Sequence, residues 1–149
     1  MAIVKWSDHA LDRMREQTRF IAEQSCSSEV AWNWANDIFA EAEGLADFPD
    51  MGHRLPEFPD APYLEILVRK NFRLIYRHIN DICYIVTVRR CSMLLDETSL
   101  AEIAVYNRVK ADIEKARKSM SEYAFMTYWE KRNDELRNLG IKTVGLEQD

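Results

Sequence analysis

Six basic residues crowd one stretch of the chain: Arg69, Lys70, Arg73, Arg77, Arg89 and Arg90. Guanidinium groups at this density can hold phosphates, stabilise charge developing on a transferred phosphoryl group, or dock the carboxylates of an acidic partner. Cleavage of RNA would also demand a proton donor and acceptor beside them. Tyr76 and His78 lie on the same stretch, but neither completes such a set. His9 and His53 are scattered, and pairs such as Asp8/Asp12 and Asp134/Glu135 read as solvated helix faces. No Gly-rich phosphate loop, G-x-S-x-G or H-E-x-x-H occurs. Cys26, Cys83 and Cys91 are odd in number and contain no C-x-x-C, which argues against a disulfide framework and a zinc site. The sequence calls for no cofactor and no metal.

The setting of the basic stretch is acidic. Net charge is −7 over residues 1–62, +4 over 63–90 and −2 over 91–149, giving −5 for the 149 residues. A basic middle in an acidic chain suits a local anionic partner better than bulk adhesion to nucleic acid, or else a sheet edge protected from aggregation. With 47% apolar residues, four Gly and four Pro, this is globular material able to bury its own core. No apolar run reaches the ~18 residues of a membrane span, and Met1 to Trp6 lacks a secretory pattern. The expectation is a cytoplasmic protein with reduced thiols.

The elements that must position these residues follow from periodicity. Ala2 to Trp6 reads as a strand, and Ser7-Asp8 caps a helix to about Ser25 with Ala10, Leu11, Met14, Ile21 and Ala22 on its apolar face. Cys26 to Glu29 breaks and recaps the chain, and a second helix carries Val30, Trp34, Ile38, Ala42 and Leu45 to about Ala46. So short a turn makes the two helices an antiparallel hairpin. Asp47 to Pro62 holds all four prolines and reads as an extended loop. Tyr63–Arg69, Phe72–Ile79 and Ile82–Arg90 then alternate with period 2, separated by the turn candidates Lys70-Asn71 and Asn80-Asp81. They predict a three-stranded antiparallel meander, with Leu64, Ile66, Leu74, Tyr76, Ile85 and Thr87 or their alternates facing the helices. Arg73 and Arg77 then share a face.

At this point the chain resembles the RelE/ParE toxin superfamily of bacterial toxin–antitoxin systems, over about residues 2–96. The resemblance rests on Val4-Lys5-Trp6-Ser7 leading into Ala10, on Ala31, and on Leu45 with Phe48-Pro49-Asp50-Met51-Gly52. It is completed by Asn71-Phe72-Arg73-Leu74-Ile75-Tyr76 and Ile85-Val86-Thr87-Val88-Arg89-Arg90. The resemblance implies an α+β fold and a plasmid-stabilising, growth-inhibiting toxin with a cognate antitoxin as partner. Members resembling RelE cleave messenger RNA in the ribosome; those resembling ParE poison DNA gyrase by binding. Glu65 and aliphatics stand where the nucleases place lysines, and Cys91 to Ser99 contains neither Tyr nor His. The resemblance therefore favours a gyrase inhibitor, with a ribosome-dependent endoribonuclease using Arg73, Arg89 and Arg90, or a non-toxic binding relic, as alternatives. Arg69, Lys70, Arg73, Tyr76, Arg77, Arg89 and Arg90 are the expected partner-binding residues.

Residues 97–149 extend beyond the resemblance. A capping box at Ser99-Leu100-Ala101-Glu102 and a Gly140 stop bracket a helical region whose apolar phase shifts near Ser119 to Ser121. This predicts one long helix or a pair. Its stripe is expected to need a surface outside the first domain's own core, as a cover over the antitoxin groove, as a homodimer arm, or as a helix simply packed on the domain. Tyr123, Phe125 and Trp129 are the expected anchors.

Overall fold

The computed structural model describes residues 1–91 and 97–145 of the chain. The chain divides into two compact units, Met1–Leu95 and Asp96–Asp149. The first runs β1 (Ile3–Trp6), α1 (Asp8–Ser25), α2 (Ser28–Glu43), a 3-10 turn at Gly44–Ala46, β2 (His53–Arg54), β3 (Leu64–Val68), β4 (Phe72–Ile79) and β5 (Ile82–Arg90). The sheet order is β1-β5-β4-β3-β2.

Ser7 fixes the entry to α1. Its hydroxyl oxygen accepts from the Ala10 N–H at 3.0 Å and donates to the Val86 carbonyl at 2.7 Å, so one side chain both caps the helix and ties it to β5. Cys26 ends α1 in the left-handed conformation, and Ser27 caps α2 on Val30 N–H. Ala10, Met14, Trp34, Ile38, Ala42 and Leu45 of the hairpin then bury against Val68, Phe72, Leu74, Tyr76, Ile85 and Val88 of the sheet. Each fully buried aliphatic contributes about 1.5–3 kcal/mol by leaving water.

The antiparallel meander forms as β3–β4–β5, and four features go beyond its reading from the sequence. β1 pairs with β5 in parallel, Ile3 opposite Ile82, so the sheet is mixed and not wholly antiparallel. The proline loop contributes the two-residue edge strand β2, His53 opposite Glu65. The β4–β5 ladder passes from Ile75↔Thr87 to Tyr76↔Ile85, leaving Val86 as an extra residue in β5. That bulge shifts the alternation, so Val88 and not Thr87 lies in the core beneath the hairpin. The first turn also sits one residue early, with Arg69 and Lys70 at φ of 53° and 64°.

In the second unit, α3 (Glu97–Ser119) starts ahead of the Ser99 capping box, and α4 (Glu122–Asn138) is capped by Ser121. The phase shift is therefore a break between two helices. Tyr106, Val109, Ile113, Ala116, Phe125, Leu136 and Val144 form one buried cluster. The apolar stripe expected to need an outside surface thus packs largely between its own two helices. Gly140, at φ of 72°, closes α4 with Ile141 N–H on Leu136 O and its own N–H on Arg137 O. Asn133 then pins the following segment, its amide bonding the Val144 N–H and carbonyl at 2.7 and 3.0 Å.

Candidate functional site

The ladder separates the six basic residues. Arg73 lies opposite Arg89 and Arg77 opposite Tyr84, on the sheet face away from the hairpin. Arg90 lies opposite Phe72 and so turns toward α1, with its guanidinium 4.9 Å from the Phe20 ring centroid. Arg69 and Lys70 form the β3–β4 turn, where Arg69 pairs with Asp37. No single cradle therefore gathers Arg73, Arg89 and Arg90.

Arg73 is the centre of an internal ion cluster. Its Nη1 and Nη2 donate to the Glu57 carboxylate at 2.6 and 2.8 Å, and its Nε donates to Glu65 at 2.6 Å. Glu65 also meets His53 Nε2 at 2.8 Å. The Arg73 side chain is 8% exposed and that of Glu65 5%. Hydrogen bonding to Glu57 raises the Arg73 pKa above its ordinary value, against the opposing cost of burial. Each of the three guanidinium nitrogens thus donates to a carboxylate, and Glu57 and Glu65 together offset its charge.

Tyr76 is equally committed. Its hydroxyl donates to Pro49 O at 2.8 Å and accepts from Gly52 N–H at 3.0 Å, and burial pushes its pKa up. Gly52 has no space for a side chain: a Cβ there would stand 2.7 Å from both Glu65 O and the Tyr76 hydroxyl. Expected as a partner-binding residue, Tyr76 is fully buried and anchors the proline loop. His78 joins the same loop through Asp50 at 2.8 Å. The Arg77 guanidinium stacks over Tyr63 at 5.6 Å. His9 on α1 is held at a pKa of about 4 by burial and by the charges of Arg13 and Arg89, so it is neutral at pH 7.

Sequence reasoning missed a second feature, an apolar groove of about 610 Å³ along the hairpin. Met14, Ala22, Ala31, Ala35 and Phe39 line it together with Arg19 and with Arg15, which pairs with Asp12 at 2.8 Å. Trp32, 65% exposed, stands in its wall. The available signal was the run of small residues Ala22, Ala31 and Ala35, which keeps side-chain bulk out of the space between the helices. Glu57 was missed too, because a proline-rich loop has no periodicity to place it. Of the tail anchors, Phe125 is buried in its own unit and Trp129 Nε1 donates to Val144 O, while Tyr123 is 85% exposed.

No group of three or more His, Cys, Asp or Glu positioned for a metal occurs among the described residues. No helix among them is long and apolar enough to cross a membrane. Residues 4–95 match the family model for the ParE toxin of type II toxin-antitoxin system, parDE. No curated protein matches the sequence. Among solved structures, a chain of the chromosomal ParDE TA system from P. aeruginosa is similar in fold. Its TM-score is 0.52 at 17% identity, covering 60% of this chain and 96% of that one.

Proposed function

The chain belongs to the family of ParE toxins of type II toxin–antitoxin systems, and from that premise we propose that it acts by binding DNA gyrase and blocking cleavage and religation. What carries this reading over RNA cleavage is the commitment of Arg73. A nuclease needs that guanidinium facing the scissile phosphate, yet it is buried and its charge is offset by Glu57 and Glu65, which accept from all three of its nitrogens. The Tyr76 hydroxyl is spent on the loop, and His53 and His78 each hold a carboxylate. Docking requires none of these groups to transfer a proton. The test is a supercoiling assay with purified gyrase. Stalled supercoiling with cleaved DNA trapped on the enzyme is expected; unimpaired supercoiling beside ribosome-dependent cuts in messenger RNA would overturn the reading.

The family implies an antitoxin partner. The groove between α1 and α2 suits an acidic amphipathic segment: an apolar floor takes its apolar face, and Arg15 and Arg19 meet its carboxylates. Such a segment orders as it binds, which lets a short stretch of chain cover a long surface.

A further inference from the structure

A recess of about 540 Å³ opens beside the β3–β4 turn, walled by Ile21, Trp34 and Phe72 on its apolar side and by Arg69, Asn71 and Arg90 on its polar side. This volume falls in the range of small-ligand sites. Trp34 and Phe72 meet edge to face with centroids 5.0 Å apart, which makes a rigid aromatic floor. The Trp34 Nε1–H is buried with no hydrogen-bond partner among the described residues. The two arginines are oriented but not saturated. Arg69 is held by Asp37; Arg90 by Gln17 at 3.3 Å and by the Phe20 ring. These are the only hydrogen bonds of either guanidinium to a described residue. A guanidinium has five N–H donors, so both keep donors to spare.

The backbone supplies an independent sign. Arg69 and Lys70 are both left-handed, a conformation that Gly or Asn ordinarily provides in such a turn. Of the two, Arg69 lines the recess, and a non-Gly residue held in this conformation at a concave site is the kind of strain that concentrates at ligand clamps.

We propose that this recess binds an oxyanion, carboxylate or phosphate, carried on a flat apolar body, with Arg69 and Arg90 as its clamps and Trp34 and Phe72 as its floor. The body would lie on the rings while the anion takes the spare guanidinium donors. The site is separate from the Arg73 cluster and stands or falls independently of the gyrase reading. Two sources share this chemistry, a free small molecule and an acidic side chain next to an aromatic one in a polypeptide.

The test titrates the full ¹⁵N-labelled chain with benzoate, benzamide, inorganic phosphate and the blocked dipeptide acetyl-Asp-Phe-amide. The Trp34 indole resonance is followed, assigned by its loss in Trp34→Phe. Saturable shifts with benzoate or the dipeptide, none with benzamide, and weaker binding of phosphate are expected. A tighter dipeptide makes the source a polypeptide, and a tighter benzoate makes it a small molecule. Arg69→Gly relaxes the turn, so it should melt no lower than the original chain while raising Kd about tenfold through loss of a charge-assisted bond. Lys70→Gly should melt higher and leave Kd within about twofold. Failure of every anion to saturate, benzamide equal to benzoate, phosphate equal to benzoate, or unchanged affinity in folded Arg69→Gly would each overturn the proposal.

Discussion

Replacing Arg73 by Met tests whether its charge is consumed inside the protein. Met keeps much of the side-chain volume and removes the guanidinium. Among the described residues Glu65, whose side chain is 5% exposed, then keeps His53 alone as a side-chain hydrogen-bond partner, and Glu57 loses a bidentate one. Leaving one member of a buried pair uncompensated costs about 3–5 kcal/mol, a large share of the roughly 5–15 kcal/mol that holds a domain together. The triple variant Arg73→Met, Glu57→Gln, Glu65→Gln removes the stranded charges with the guanidinium. It should recover most of the loss, because a buried ion cluster replaced as a whole is close to neutral. Urea unfolding followed through the β4 amide resonances measures both, and restricts the readout to the first unit. A single substitution costing under about 1 kcal/mol would mean that Arg73 is solvated and free for a phosphate. A triple variant no more stable than the single one would mean that shape, not charge compensation, sets the cost.

Three further outcomes follow from the same geometry. Gly52→Ala pushes a methyl to 2.7 Å from Glu65 O and the Tyr76 hydroxyl, and overpacking of this kind costs about 1–3 kcal/mol, or about 4–8 °C of Tm for each kcal/mol in a unit of this size; an unchanged Tm would deny the close approach. His9 has a pKa of about 4 against an ordinary 6.5, chiefly through burial. The unfolded chain therefore takes up this proton first as pH falls. Stability present above pH 6.5 is lost between 6.5 and 4, by about 3 kcal/mol at ~1.4 kcal/mol per pH unit. His9→Gln should remove that part of the slope in denaturation curves, and parallel curves for the two proteins would refute it. Trp32→Ala should leave stability within about 0.5 kcal/mol, since Trp32 is largely exposed. It should weaken antitoxin binding about 30-fold or more in calorimetry if this ring anchors the partner; equal affinity would move the antitoxin off the hairpin.

Most of the fold was legible because its signals are local. Ser7 and the 3/4 spacing set α1 at Asp8–Ser25, and period-2 alternation set β4 at Phe72–Ile79 and β5 at Ile82–Arg90. What was illegible depends on distant partners. The parallel register of Ile3 with Ile82 joins the two ends of the first unit, and two-residue β2 exists only because β3 lies beside it. The Val86 bulge leaves no mark in composition, yet it puts Val88 in Thr87's expected place. The site was half legible for the same reason. Arg73 and Arg77 sharing a face follows from alternation along one strand, whereas the pairing of Arg73 with Glu57 depends on how a proline-rich loop returns to the sheet.

The central claim, a toxin that inhibits gyrase by binding, is tested most directly by inducing the chain in growing cells and recovering DNA, gyrase and messenger RNA from the same culture. Accumulation of cleaved gyrase–DNA complexes, arrested growth and intact messenger RNA are expected. Ribosome-dependent cuts in messenger RNA without cleaved complexes would contradict the account, and so would normal growth with the folded chain present.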